Sequence, residues 1–288
     1  MSSAILGKSI DVVVYTVFLL PSEGGPPFCP LAAIGEEGNR IDHGSMSASG
    51  TYTLAAQQNQ FDPGTPAEFR FKVLGPDGRA VTSYRPLHER DLHLIVVRRD
   101  LATFSHLHPT READGTWQVE LTLPSPGPYR AFADLAPTDG PEMTLKVDLT
   151  APGEWVEQQL PAPSRTVHAV EYQIDLKGEL AAGVHSEISF NVSRDGRGVE
   201  LEPYLGALGH LVALRASDLE YLHVHPLEDA SSQAIRFGVQ VPSPGAYRLF
   251  LQFQHENQVH TASFTVQALE TGGHTEMSGH RQDHRMDH

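Results

Sequence analysis

Apolar and polar residues alternate along short stretches of this chain, and turn-forming residues cut the stretches apart. Phe69-Arg-Phe-Lys-Val73 carries the alternation and Gly75-Pro-Asp-Gly78 ends it; Trp117-Gln-Val-Glu-Leu-Thr-Leu123 carries it again, and Pro124-Ser-Pro-Gly127 ends that run. An alternation of period two sends one row of side chains into a core and the other toward water, which is the signature of a half-buried β-strand. No stretch shows the period of about 3.6 residues that an amphipathic helix requires. The pattern predicts an all-β protein built from short strands.

The strands come in two sets. Ala67-Glu-Phe-Arg-Phe-Lys-Val73 answers to Ser186-Glu-Ile-Ser-Phe-Asn-Val192, Asp77-Gly-Arg-Ala-Val81 to Asp195-Gly-Arg-Gly-Val199, and Leu123-Pro-Ser-Pro-Gly-Pro-Tyr-Arg-Ala-Phe132 to Val241-Pro-Ser-Pro-Gly-Ala-Tyr-Arg-Leu-Phe250, an internal repeat at a spacing of about 118 residues. About seven strands in about 100 residues is the size of an immunoglobulin-like sandwich. The expected fold is therefore two tandem immunoglobulin-like β-sandwich domains, over residues 51–150 and 168–268, joined by a linker at 151–167 that contains Pro161-Ala-Pro-Ser-Arg165. Residues 1–50 read as a flexible lead-in, rich in Pro, Gly and Ser from residue 21. Residues 269–288 read as a disordered His/Met tail without apolar periodicity. Tyr129 and Tyr247, each following Pro-Gly-x just before an apolar strand, are expected to form tyrosine corners with a structural role.

Composition narrows the possible functions. Against 21 Lys and Arg stand 36 Asp and Glu, a net charge of −15, which opposes binding to phosphate backbones and argues against a nucleic-acid partner. The single cysteine, Cys29, permits neither an intramolecular disulfide nor a thiolate zinc finger. There is no Gly-x-Ser-x-Gly elbow, no phosphate-cradling glycine loop and no carboxylate pair in contrasting settings, so no enzyme is expected. The apolar run Ile10–Leu20 is shorter than the roughly 20 residues of a membrane span. With only Lys8 ahead of it and no small-residue cleavage site behind, it reads as a damaged or mis-started membrane segment in preference to a β-like run.

The 16 histidines change the picture most. His106-x-His108 and His223-x-His225 each place two imidazoles on one face of a strand. Thirteen residues before each pair's first histidine stand His93 and His210, and Asp100-Leu101 and Asp218-Leu219 fall midway, where a hairpin would turn. An odd separation lets all three histidines share a face across an antiparallel pair, with directly opposed residues about 5 Å apart. Three neutral imidazoles converging on one ion suit copper(II) or zinc. The same histidines share their face with Ile95 and Val97, or with Val212 and Leu214, so a purely structural role beside the core is the competing reading. His43-Gly-Ser-Met46 and His274-Thr-Glu-Met277 add imidazole and thioether donors outside the domains, a soft set that favours copper.

His93-Leu-Ile-Val-Val-Arg-Arg-Asp-Leu101 with Phe104-Ser-His-Leu-His-Pro109, and the matching Gly209–Pro226 segment, resemble a bacterial, chiefly actinobacterial, family of extracytoplasmic proteins labelled heavy-metal-binding or YtkA/FixH-like. The resemblance covers about residues 42–268 and implies β-sandwich domains behind a signal or membrane anchor, with metal binding as the suggested role. Three functions follow as expectations. The first is an extracytoplasmic, membrane-associated protein that binds or buffers a copper or zinc ion. The second is a structural or interaction module that meets a membrane protein partner. The third is a cupin-type metal oxygenase, suggested by His106-x-His108-x-x-x-Glu112 although that motif's flanking glycines are missing.

Overall fold

The computed structural model describes residues 47–49, 52–222, 224–227 and 234–270 of the 288-residue chain. The Ile10–Leu20 run, Cys29, the rest of the lead-in through Met46 and the tail from Thr271 lie outside the described residues. Among the described residues every regular element is a β-strand, and the chain divides between Leu160 and Pro161 into two compact units.

The first unit contains β1 (Ser47–Ser49), β2 (Tyr52–Ala56), β3 (Ala67–Leu74), β4 (Leu92–Arg98), β5 (Phe104–Leu107), β6 (Thr110–Arg111), β7 (Thr116–Leu121), β8 (Gly127–Leu135) and β9 (Met143–Ala151). They form one sheet in the order β1-β2-β3-β7-β6 and a second in the order β5-β4-β8-β9, with every pairing antiparallel. Phe69, Phe71, Val73 and Trp117 of the first sheet and Leu94, Val96, Tyr129, Ala131 and Val147 of the second belong to one apolar core. In β3 the alternation is as read: Phe69, Phe71 and Val73 are buried, while Arg70 and Lys72 point outward to Glu112 and Asp114.

The second unit contains β10 (Thr166–Ala169), β11 (Tyr172–Lys177), β12 (His185–Arg194), β13 (Arg197–Gly198), β14 (Gly209–Arg215), β15 (Tyr221–Leu222), β16 (His225–Pro226), β17 (Ala234–Gln240), β18 (Gly245–His255) and β19 (Gln258–Ala268). Its sheets run β10-β11-β12-β17-β16, with β13 on β12, and β15-β14-β18-β19. The topology repeats that of the first unit, and its core matches: Ile174, Phe190 and Phe237 on one side, Ala213, Leu249, Leu251 and Phe264 on the other. The chain is thus two tandem β-sandwiches of the immunoglobulin-like kind.

Both expected tyrosine corners are present. The Tyr129 hydroxyl donates to the Ser125 carbonyl at 2.8 Å, and that of Tyr247 to the Ser243 carbonyl at 2.8 Å. In β4 the alternation disappears, because both faces are covered. Leu92, Leu94 and Val96 face the core, yet Ile95 and Val97 on the opposite face are only 1% and 0% exposed. A strand covered on both faces reads as a continuous apolar run. Within that run His93 stands out.

Candidate metal centre

The site is built on the β4–β5 hairpin. Asp100 shapes its turn: Oδ1 accepts hydrogen bonds from Arg98 Nε at 2.8 Å and from the Ala102 amide at 3.2 Å, and Leu101 takes φ 59°. Oδ2 accepts the Gln158 amide at 3.0 Å. Burial pushes the Asp100 carboxyl upward, but the Arg98 guanidinium and the two amides outweigh it and hold the group below the ordinary carboxylate range. The turn sets the register, pairing Leu94 with Leu107 and Ile95 with His106. One step further along the same register, His93 stands across from His108. His93, His106 and His108 therefore share one face, as the spacing predicts.

The three rings converge. Centroids of His93 and His106 are 5.1 Å apart, those of His93 and His108 5.1 Å, and those of His106 and His108 4.7 Å. One nitrogen from each lies within 4.8 Å of the other two, and His93 and His106 are buried while His108 is partly so. His93 Nδ1 and His106 Nε2 are 2.9 Å apart.

The protonation of His93 follows from its other contact. Its Nε2 lies 2.8 Å from the Leu87 carbonyl oxygen, which can only accept, so Nε2 carries a proton, and in the neutral ring Nδ1 presents its lone pair to the cluster. A metal-binding histidine characteristically donates its second nitrogen in this way, which fixes the tautomer and the ring orientation. The carbonyl is held by a tight turn in which Leu87 and Arg90 exchange two backbone hydrogen bonds, with His88 and Glu89 at φ 43° and 65°. The second domain keeps this device: His210 Nε2 lies 2.7 Å from the Tyr204 carbonyl, in a turn closed by Ala207 with Leu205 and Gly206 at φ 50° and 77°.

The donor set fits a borderline metal. Tetrahedral ligands at about 2.0–2.1 Å from zinc stand about 3.3 Å from one another. The His93–His106 pair is already near that spacing, and the widest separation is at most 4.8 Å. Three neutral imidazoles bring no charge of their own to offset a dication. Asp134, opposite His93 on β8 and 8% exposed, supplies a carboxylate on the neighbouring strand, where it accepts Thr144 Oγ1 at 3.1 Å.

Of the other predicted metal ligands, only His210 and His225 lie among the described residues. His210 occupies β14 opposite Gln252, an amide where the first domain has Asp134. His223 lies outside the described residues, and the β14–β15 ladder consists of two pairs, Ala213 with Leu222 and Leu214 with Tyr221. His225 belongs to β16, whose backbone pairs with Gly238 of β17 in the other sheet. His43, Met46, His274 and Met277 lie outside the described residues. Glu112, the carboxylate of the cupin-like pattern, is not in the cluster; it receives Arg70 Nη2 at 2.7 Å on the opposite sheet, because the chain crosses between sheets after His108.

Sequence reasoning missed the Leu87 and Tyr204 carbonyls, since a backbone acceptor leaves no side-chain signature. It also missed Asp134, whose neighbour is set by β4–β8 pairing, and it missed a buried histidine in the second domain. His260 is 8% exposed and stacks on Phe253 at 5.3 Å, and among the described residues its Nε2 has no hydrogen-bond partner; burial holds its imidazole below the ordinary histidine range. Nearby, Tyr172 Oη and His255 Nδ1 are 2.9 Å apart.

No curated protein matches the chain. Among solved structures, the Escherichia coli adhesin FdeC is similar at 12% identity and TM-score 0.25, covering 78% of this chain and 66% of its own. Yersinia pseudotuberculosis InvD is similar at 13% identity and TM-score 0.26, with 80% and 61% covered, and domains 4–9 of the surface layer protein SbsC at 11% and 0.26, with 78% and 32% covered. The chain spans less than two thirds of the length of each of these three. Residues 46–153 and 166–270 each match one sequence family, so the chain belongs, by two tandem copies, to the family described as "Domain of unknown function (DUF8832)".

Proposed function

We propose that this protein is a non-catalytic transition-metal-binding protein acting outside the cytosol, with its principal site at His93, His106 and His108. One observation carries the reading: three imidazole nitrogens converge within 4.8 Å, and the outer nitrogen of His93 is tied to a backbone carbonyl as a metal ligand's would be. An all-imidazole set takes Cu²⁺ or Zn²⁺, and Cu²⁺ binds nitrogen sites more tightly. His210, held by the Tyr204 carbonyl, would serve a second site together with His223 and His225. The His-x-x-Met pairs at His43–Met46 and His274–Met277 would add capacity for Cu⁺. The extracytoplasmic, membrane-associated setting rests on the Ile10–Leu20 run and on the resemblance of the His-x-His-Pro segments.

A second reading has its own observation. The His93–His106 contact lets one imidazole satisfy the other, so the trio can act as polar packing in a structural or interaction module that meets a membrane partner. Calorimetric titration of the untagged, metal-stripped full chain with Cu²⁺ and Zn²⁺ separates the two. The metal reading expects His106→Ala/His108→Ala to lose one equivalent, and expects binding by the parent to weaken as pH falls below about 6.5, because only neutral imidazole binds. Unchanged stoichiometry in the double variant would transfer the conclusion to the interaction module.

A further inference from the structure

Resting on the metal reading above, we infer that His88 is a fourth ligand, which swings over the cluster and closes the site. His88 is an exposed residue of the Leu87–Arg90 turn, and its ring centroid lies 6.1 Å from that of His93 at an interplanar angle of 70°. The turn that carries His88 is the one whose Leu87 carbonyl holds the His93 ring, so both imidazoles are tied to the same backbone turn. His93, His106 and His108 all project from one face of the β4–β5 hairpin and leave the remaining coordination position to whatever lies beyond the sheet. A side chain at the surface changes rotamer on the picosecond-to-nanosecond scale. His88 is the histidine next to the cluster that comes from outside the hairpin.

The repeat sharpens the assignment. The second domain preserves the tight turn, the carbonyl and the histidine it orients, yet its residue at the place of His88 is Leu205. A fourth imidazole is therefore dispensable for building the turn, and the first domain has one where the fold does not ask for it. The chemical consequence concerns function. Four imidazoles complete the tetrahedral shell of Zn²⁺ or the tetragonal plane of Cu²⁺, whereas a metal used in catalysis keeps a position open for water or substrate. A site closed by His88 holds its ion and performs no hydrolysis or oxygenation.

The test uses the full chain, metal-stripped and loaded with half an equivalent of Zn²⁺, read by X-ray absorption and by competition with a chelator. The parent should show four imidazoles. His88→Asn, which suits the positive φ of the turn, and His88→Leu, which copies the second domain, should each show three imidazoles plus a water oxygen, with affinity lower by on the order of 10–100-fold. His106→Ala is the control for the site itself. If His106→Ala removes the tight site while both His88 variants keep the parent's spectrum and affinity, the fourth ligand is refuted and the three-histidine site stands. If His106→Ala also leaves spectrum and affinity unchanged, the metal reading fails and this inference with it. Agreement between the two His88 variants rules out a folding artefact of either, and a spectrum altered in only one of them would overturn the assignment.

Discussion

The two domains share a topology, a tyrosine corner and a carbonyl-held histidine, but they differ at the end of the hairpin that carries the histidines. In the first, β5 pairs with β4 through four residues, and His106 and His108 remain beside His93 before the chain crosses to the other sheet at β6. In the second, β15 pairs through two of the described residues, and the His225 backbone is already paired into the opposite sheet. The supports differ in the same direction: Asp134 becomes Gln252 and His88 becomes Leu205. The hairpin turns differ too. Arg98 and Asp100 form a buried ion pair, with side chains 5% and 0% exposed, whereas Arg215 and Asp218 are 19% and 49% exposed. Duplication has kept the residues that make a sandwich, and among the described residues the three-histidine cluster lies in the first copy.

The largest contrast is expected at those turns. Asp100→Ala leaves the Arg98 guanidinium buried without its counter-ion and should destabilise the first domain by about 3–5 kcal/mol. Asp218→Ala removes a solvent-screened pair and should cost the second domain about 1 kcal/mol or less. Trp117 and Trp155 are the chain's two tryptophans and both lie in the first unit, so tryptophan emission follows that domain's unfolding while circular dichroism follows both. Equal losses in the two domains would show that burial does not separate these pairs.

A smaller, symmetric effect is expected at the corners. Tyr129→Phe and Tyr247→Phe each delete the hydrogen bond to a carbonyl four residues upstream, together with the hydroxyl's longer contacts to the same serine, and should cost about 1 kcal/mol apiece, with metal stoichiometry unchanged. Metal loss at unchanged stability would assign the tyrosines to the site instead of the scaffold.

The smallest effect distinguishes the domains by pH. His260 pairs with Phe253 in the second domain, where the first has Met143 opposite Leu135. Burial disfavours the charged imidazole in the folded state, outweighing Glu171 and Glu256, so the unfolded chain binds the proton more readily. This contribution is flat above the ordinary value of 6.5 and turns against folding as pH falls below it, at no more than about 1.4 kcal/mol per pH unit, until the folded imidazole titrates as well. His260→Met should remove that slope from the second domain's denaturation curve. A slope that survives the substitution would place the proton uptake on another group.

How much of the site was readable in advance differs from residue to residue. The shared face of His93, His106 and His108 was legible, because strand side chains alternate strictly and Asp100-Leu101 marks a turn whose position sets the parity. The repeat and its alternating strands were enough to establish two all-β sandwiches, and Pro-Gly-x-Tyr marked both corners. All of these depend on local periodicity and turn chemistry, which short stretches of sequence specify by themselves. Which sheet receives the chain after His108 or after Leu222 depends on long-range strand pairing, and no local pattern encodes it. The same holds for Asp134 beside His93, and for the covering of β4 on both faces, which erased the alternation there. The Leu87 carbonyl is the limiting case: its role is carried by the backbone, common to every residue, and only the folded position of one turn against one imidazole makes it part of the site.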